Sequence, residues 1–311
     1  LKKEILIERF HNPIIEPNPN IPWMSKNVFN CGVIIDEDGL YKMLFRATWT
    51  DNQEMSACGL ALSVEGTKWY VLDKPVLECH LNDYCDKGIE DPRIVKWIDD
   101  WNYIFATAYS STGGRIGIWR TKNFFKYEWV GIPFNWEDKD ASIFPEPISG
   151  WAYLLHRKAP HIWISRTRDF TLKDGWQNSQ ILTKSDEWYL SPRTGNVPVK
   201  VGIAGPPIKT PKGWLLIVHA VHGKGENMFN RVYSLGFMVL DLENPTKIKY
   251  IHPAPILWPT EKHEITGAVP FVCFSNATVD PGGDAIYIYW GGADTVVCGG
   301  KIYKKDLPMC Y

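Results

Sequence analysis

Long apolar runs are missing from this sequence. None of its 311 residues lies in a stretch approaching the roughly 18 apolar residues that a membrane-spanning helix needs. The N-terminal segment lacks the apolar core of a secretory signal. An excess of one charge is missing too: Lys and Arg total 34 against 35 for Asp and Glu, so neither nucleic acid nor an anionic membrane is expected as partner. The seven cysteines include no C-x-x-C pair, and they read as buried thiols of a reducing compartment. His11, His80, Cys79 and Cys85 do not have zinc-site spacing. Gly291-Gly292 is followed by neither Lys-Ser nor Lys-Thr and opens no helical pattern, which excludes a nucleotide loop. Asn276-Ala277-Thr278 matches a glycosylation sequon by pattern only. The expectation is a soluble cytoplasmic protein without metal or cofactor.

Aromatic residues are plentiful instead: 15 Trp, 14 Tyr and 13 Phe, suited to strands and also to stacking on the apolar faces of sugar rings. A chain-long helical period is absent, and a strand–turn–strand pattern recurs five times. Ile34-Ile35 leads through Asp38-Gly39 into Leu40–Arg46, and Ile94–Trp97 through Asp99-Asp100 into Tyr103–Thr107. Phe144–Pro147 leads through Ser149-Gly150 into Trp151–Arg157, and Pro207–Lys209 through Lys212-Gly213 into Trp214–His219. Thr278-Val279 leads through Gly282-Gly283 into Ala285–Trp290, and a third strand follows in every unit. A repeat of about 60 residues built from small sheets predicts an all-β, five-bladed β-propeller, with residues 1–311 as one catalytic domain. The run Ile5-Leu6-Ile7 is placed to close the ring against the last blade.

In such a ring, polar residues at matching repeat positions converge on the central channel. The candidates are Asn30, Arg46, Asp91, Arg93, Asp140, Arg157, Lys209, His219 and Asp294. Among them Gly88-Ile89-Glu90-Asp91-Pro92-Arg93 is the most pointed. Pro92 is expected to push Asp91 toward an extended backbone, and a second carboxylate with a nearby cation can tune an acid.

Six segments then resemble, in order, the motifs of glycoside hydrolase family 130, the β-mannoside phosphorylases and related β-mannosidases. They are Gly88–Arg93, Asp138-Lys139-Asp140-Ala141, Leu155-His156-Arg157, Gly205–Thr210, Gly213–His219 and Gly292-Ala293-Asp294-Thr295. The resemblance runs from about Asn12 to Asp294 and implies a five-bladed β-propeller. It implies Asp91 as general acid, reaching the glycosidic oxygen through a sugar hydroxyl, with phosphate as nucleophile. Arg157, Lys209 and His219 are implied for the phosphate pocket, with Tyr233 and Arg166 (or Arg168) completing it. Asn30, Arg46, Glu90, Arg93, Asp140, Glu264 and Asp294 are implied on the sugar side. His263–Phe271 departs from the family's usual wording.

The implied reaction is inverting, reversible phosphorolysis of a short β-mannoside to α-mannose 1-phosphate, with inorganic phosphate as co-substrate. Linkage (β-1,4 or β-1,2), acceptor sugar, direction in the cell and any homo-oligomeric state stay open. A β-mannosidase using Glu264 to activate water, or a sugar-binding propeller without turnover, are the competing readings. Each residue also has a bland role. Asp91 can be a salt-bridge partner, His219 a core histidine, Arg157 and Lys209 structural ions, and Asp294 a turn cap. Trp49 and Trp188 are candidates for stacking on sugar.

Overall fold

The computed structural model describes the chain except residues 1–4, 51–54, 80–81, 170–174 and 224–227. Its strands form five antiparallel blades around a hub. Blade one holds Asn27–Ile35, Tyr41–Thr48 and Ser56–Ser63, with the short Tyr70–Val71 outside. Blade two holds Gly88–Lys96, Asn102–Ser110, Gly113–Thr121 and Tyr127–Gly131, and one parallel contact, Ser56 with Gly88, joins it to blade one. Blade three is Lys139–Ile143, Ala152–Arg157, Ile162–Thr167 and Gln177–Thr183. Blade four is Pro198–Ile203, Gly213–His222, Val232–Leu240 and Ile248–Ile251, with Ile208–Thr210 also pairing with Gly213–His222. Blade five is Cys273–Val279, Ala285–Gly292 and Val296–Tyr303, and Glu8–Arg9 adds its outermost strand. Ring closure therefore uses Glu8-Arg9 rather than the expected Ile5–Ile7, although the Ile7 N–H reaches Ile256 O at 2.9 Å.

The core explains why these strands are apolar on both faces. Successive side chains point to opposite faces of a strand, and here each face meets a neighbouring blade. In blade three Leu154 packs with Val95 and Phe105 of blade two, whereas Leu155 packs toward Ile203 and Leu216 of blade four. In blade four Leu216 faces blade three, whereas Leu215 joins Ile288 and Trp290 of blade five. A cluster of Val28, Met43, Phe45, Ala277 and Tyr289 seals blade five to blade one.

Two parts of the sequence reading change. The inner strand of blade three is Lys139–Ile143, ahead of Phe144, and that of blade four is Pro198–Ile203, ahead of Pro207. Cys79 and Cys85 form a disulfide (Cα–Cα 5.7 Å), so these two are not free thiols, while Cys31, Cys58, Cys273, Cys298 and Cys310 are free and buried. His80 lies outside the described residues. Among the described residues no helix is long and apolar enough to cross a membrane.

Candidate active site

All five inner strands break register once, at Phe29/Cys31, Glu90/Arg93, Lys139/Ser142, Pro198/Lys200 and Ser275/Ala277. A bulge bends its strand and re-aims a side chain, and here that happens beside the hub. Three of the extra residues have left-handed backbones: Asn30 (φ 45°), Asp91 (φ 56°) and Asp140 (φ 50°), so the bulge overrides the extended backbone expected of Asp91 ahead of Pro92. Asn and Asp are the non-glycine residues that tolerate this region best, so one requirement selects both the backbone and the chemistry. Close packing adds another constraint: a Cβ on Gly202 would overlap Asp140 Oδ2 and His219 Nε2.

The resulting cluster has an acidic side. Asp91 Oδ1 accepts from Asn30 Nδ2 at 2.9 Å and lies 3.4 Å from Arg46 Nη1. Arg46 Nη2 donates to Glu90 Oε1 at 2.8 Å, Lys139 Nζ lies 3.2 Å from Glu90 Oε2, and the Arg46 guanidinium sits 4.7 Å from the Phe29 ring centroid. The two adjacent carboxylates are driven apart. Burial raises the Asp91 pKa, the Glu90 charge adds to the rise, and Arg46 only partly opposes it. For Glu90 burial also pushes upward, but Arg46 and Lys139 together outweigh it and hold the pKa low. Glu90 is thus the ionised member and Asp91 the one suited to carry a proton. Asp294 faces Arg46, Asp91 and Glu90, and burial pushes its carboxyl up to about 7.

Arg93 is the spacer. It is 1% exposed and donates to Ala204 O (2.6 Å), Ile203 O (2.8 Å) and Asp91 O (3.1 Å), with Nη2 also 3.3 Å from Asp140. Asn276 Nδ2 donates to the same Asp91 carbonyl at 3.2 Å. Asp140 then pairs with Arg157 (3.1 Å) and accepts from His219 Nε2 (3.0 Å). Burial alone would raise the Asp140 pKa, but Arg157, His219 and Arg93 hold it well below the usual range. His219 is wholly buried, and burial lowers its pKa to about 4, so it is neutral at neutral pH.

Beyond Arg157 the cationic side holds Tyr233, as expected, and two cations the sequence did not point to, Lys200 and Arg231. Burial, then repulsion from Arg157 and Arg231, lowers the Lys200 pKa to about 7. Among the described residues no carboxylate comes within ion-pair distance of its ammonium. Tyr233 stands beside it, with Lys200 Nζ 5.9 Å from the ring centroid, and its phenol is raised by burial and hydrogen-bonded to Arg231.

Three expected residues lie elsewhere. Lys209 pairs in register with Trp214, at the far end of the strand whose hub end carries His219, and its exposed ammonium binds Glu146 at 2.5 Å. Arg166 is three strands out in blade three, stacked on Trp151 (4.3 Å), as is Arg168 (4.5 Å). Glu264 is wholly buried; its carboxylate clasps Arg9 at 2.9 Å through both oxygens and accepts the N–H groups of Thr260 and Glu261. Trp188 is core, at 4% exposure, while Trp49 is half-buried just past Tyr41–Thr48.

Fold and site together define a carbohydrate-active β-propeller with an acid side and a cationic side. The family model described as beta-1,4-mannooligosaccharide phosphorylase matches residues 6–309, and the chain belongs to this family, glycoside hydrolase family 130. It is 38% identical over 307 residues to a 1,2-beta-oligomannan phosphorylase of Thermoanaerobacter sp. (strain X514), covering 96% of this chain and 97% of that one. It is 36% identical over 321 residues to a beta-1,2-mannobiose phosphorylase of the same strain, with the same coverage. Among solved structures, the beta-1,2-mannobiose phosphorylase of Listeria innocua in complex with beta-1,2-mannobiose superposes with a TM-score of 0.80 at 25% identity, covering 96% of this chain and 97% of that one.

Proposed function

We propose that this protein is an inverting β-mannoside phosphorylase acting on β-1,2-linked mannosides, and that Lys200 and Arg231 join Arg157 and Tyr233 in holding phosphate. The observation that carries the reading is the cationic side formed by Arg157, Lys200 and Arg231 beside a carboxylate pair in which Arg46 and Lys139 hold Glu90 low while burial raises Asp91. An arginine fork and an unpaired ammonium suit a phosphate dianion. A phosphate oxygen attacks the mannosyl C1 as the C1–O bond to the leaving sugar breaks. Asp91 supplies the proton that this sugar's oxygen gains, and inversion leaves α-mannose 1-phosphate. Asn30, Arg46 and Asp294 line the sugar side. Arg93 and Asp140 hold the two sides in register: Arg93 spends its donors on backbone carbonyls, and Asp140 Oδ2 is shared between Arg157 and His219. The hydrolytic alternative is disfavoured because Glu264, its candidate base, is committed to Arg9. The β-1,2 linkage follows the two relatives at 38% and 36% identity, against the β-1,4 wording of the family model. Phosphate is the only co-substrate in this reading, and the enzyme is placed in the cytoplasm.

The test is to incubate the protein with β-1,2-mannobiose or β-1,4-mannobiose and phosphate, following both phosphate and sugar products. Phosphate loss matched by α-mannose 1-phosphate, faster with the β-1,2 disaccharide, is expected. Asp91→Asn should lower the rate by about 10²–10⁴-fold. Free mannose released equally fast without phosphate overturns the phosphorylase reading, and preference for the β-1,4 disaccharide overturns the linkage.

A further inference from the structure

A buried polar chain runs behind the cationic side and belongs to none of the contacts above. Asp138 immediately precedes Lys139 and Asp140, and His156 immediately precedes Arg157. Both are fully enclosed, with Asp138 2% and His156 1% exposed. His156 Nδ1 lies 2.7 Å from Asp138 Oδ2, and His156 Nε2 lies 3.0 Å from Ser165 Oγ, which is bonded in turn to Ser179. The other Asp138 oxygen accepts the Lys139 N–H at 2.9 Å, and Oδ2 also receives Trp136 Nε1 at 3.3 Å. The Phe134 ring covers the imidazole at 4.7 Å.

This chain spans the open end of the inner hairpin of blade three. Lys139 and Arg157 are register partners there, and the bulge that turns Asp140 inward begins directly after Lys139. No ladder hydrogen bond can fix a bulged residue, so the entry to the bulge needs another anchor. A carboxylate gripping one strand's backbone N–H and the other strand's imidazole supplies one. A carboxylate acceptor requires hydrogen on Nδ1, and Nε2 then faces the Ser165 hydroxyl.

We infer that Asp138 and His156 are positioning residues. Through the hairpin they set where Arg157 and Asp140 stand, and so they tune phosphate binding more than mannoside binding. The inference rests on the phosphate-pocket reading above. Losing a buried charge-assisted hydrogen bond of this kind corresponds to about a tenfold change in an equilibrium constant.

The experiment measures KM for phosphate and for β-1,2-mannobiose, together with the rise in unfolding temperature that each substrate gives, in wild type, His156→Leu, His156→Asn and Asp138→Asn. In His156→Leu, KM for phosphate should rise about tenfold and the phosphate-induced stabilisation should shrink, while the mannobiose values stay within about threefold. His156→Asn keeps a donor near the Nδ1 position and should recover most of the loss. If His156→Leu does not fold, Asp138→Asn, which matches the native shape, carries the same comparison and should show the same split. A common shift of both substrates, or a fall in unfolding temperature with unchanged phosphate binding, means a purely structural role and overturns the inference. Wild type that gains no stability from phosphate yet cleaves the mannoside overturns the phosphate pocket itself, and this inference falls with it.

Discussion

Lys200 carries the sharpest consequence at the scale of single residues. Its ammonium is buried beside Arg157 and Arg231, which brings its pKa from the ordinary 10.5 to about 7. A base lowered in this way disfavours its own charged form in the fold, so it costs stability below about pH 7 and that cost fades as pH rises toward 10.5. Phosphate needs the charged form, and the dianion would restore the proton it needs. The ratio of kcat/KM for phosphate between wild type and Lys200→Gln should therefore be largest below pH 7 and fall by about tenfold per unit above it. The titration of phosphate cancels in that ratio, whereas Asp294, whose carboxyl stands at about 7 and is lowered in part by Lys200, moves upward in the variant and is followed separately in Asp294→Asn. A ratio flat from pH 6 to 9 would remove Lys200 from the pocket.

The inner strands and their bulges govern the next scale up. In blade four the strand Pro198–Ile203 brings Gly202 against both Asp140 and His219, its Cα register partner. Gly202→Ala should force that pair apart, costing about 1–3 kcal/mol in denaturant unfolding and more than tenfold in kcat/KM. A variant with native activity would show that the Asp140–His219 contact has no role in the site. The same strand marks the limit of what the sequence alone can tell. The hairpins with Asp-Gly or Gly-Gly turns were legible because turn chemistry and β-branched runs are local signals, and the five-bladed reading followed from their spacing. Pro198–Ile203 and Lys139–Ile143 were not legible, because each joins its neighbour through a loop longer than a tight turn. Starting blade four one strand late picked Lys209, on the short strand beside Trp214, instead of Lys200 on the inner strand. The alternation in Pro198-Val199-Lys200-Val201-Gly202-Ile203 was the available clue. Asp91 and Arg157 were expected at the hub from strands with a strong apolar pattern, and Asp140 from the resemblance of Asp138-Lys139-Asp140-Ala141 to a family motif; the structure brings the three into one cluster. Glu264 was misplaced since nothing local in Lys262-His263-Glu264-Ile265 shows that its partner is Arg9.

For the whole molecule, the question is what keeps the ring shut. The contact between first and last blades runs through the apolar Val28, Phe45, Ala277 and Tyr289, but the N-terminal strand is also tied by charge to the segment that leads into blade five. Arg9, on the strand that completes blade five, forms two 2.9 Å bonds to Glu264 and a third to Trp258 O. Glu264 in turn caps the helix Lys262–Ile265, ahead of the Val269–Phe274 segment beside Tyr233. Removing Arg9 alone strands a carboxylate with no exposure to water, and such a loss costs about 3–5 kcal/mol. Arg9→Leu should lower the denaturant midpoint accordingly, and Arg9→Leu with Glu264→Leu should recover much of the loss, because the desolvated charge is then gone. KM for the mannoside in the double variant, measured where it is fully folded, should stay within a few fold of wild type. A large rise there would return Glu264 to the sugar site, against the geometry that ties it to the closure of the ring.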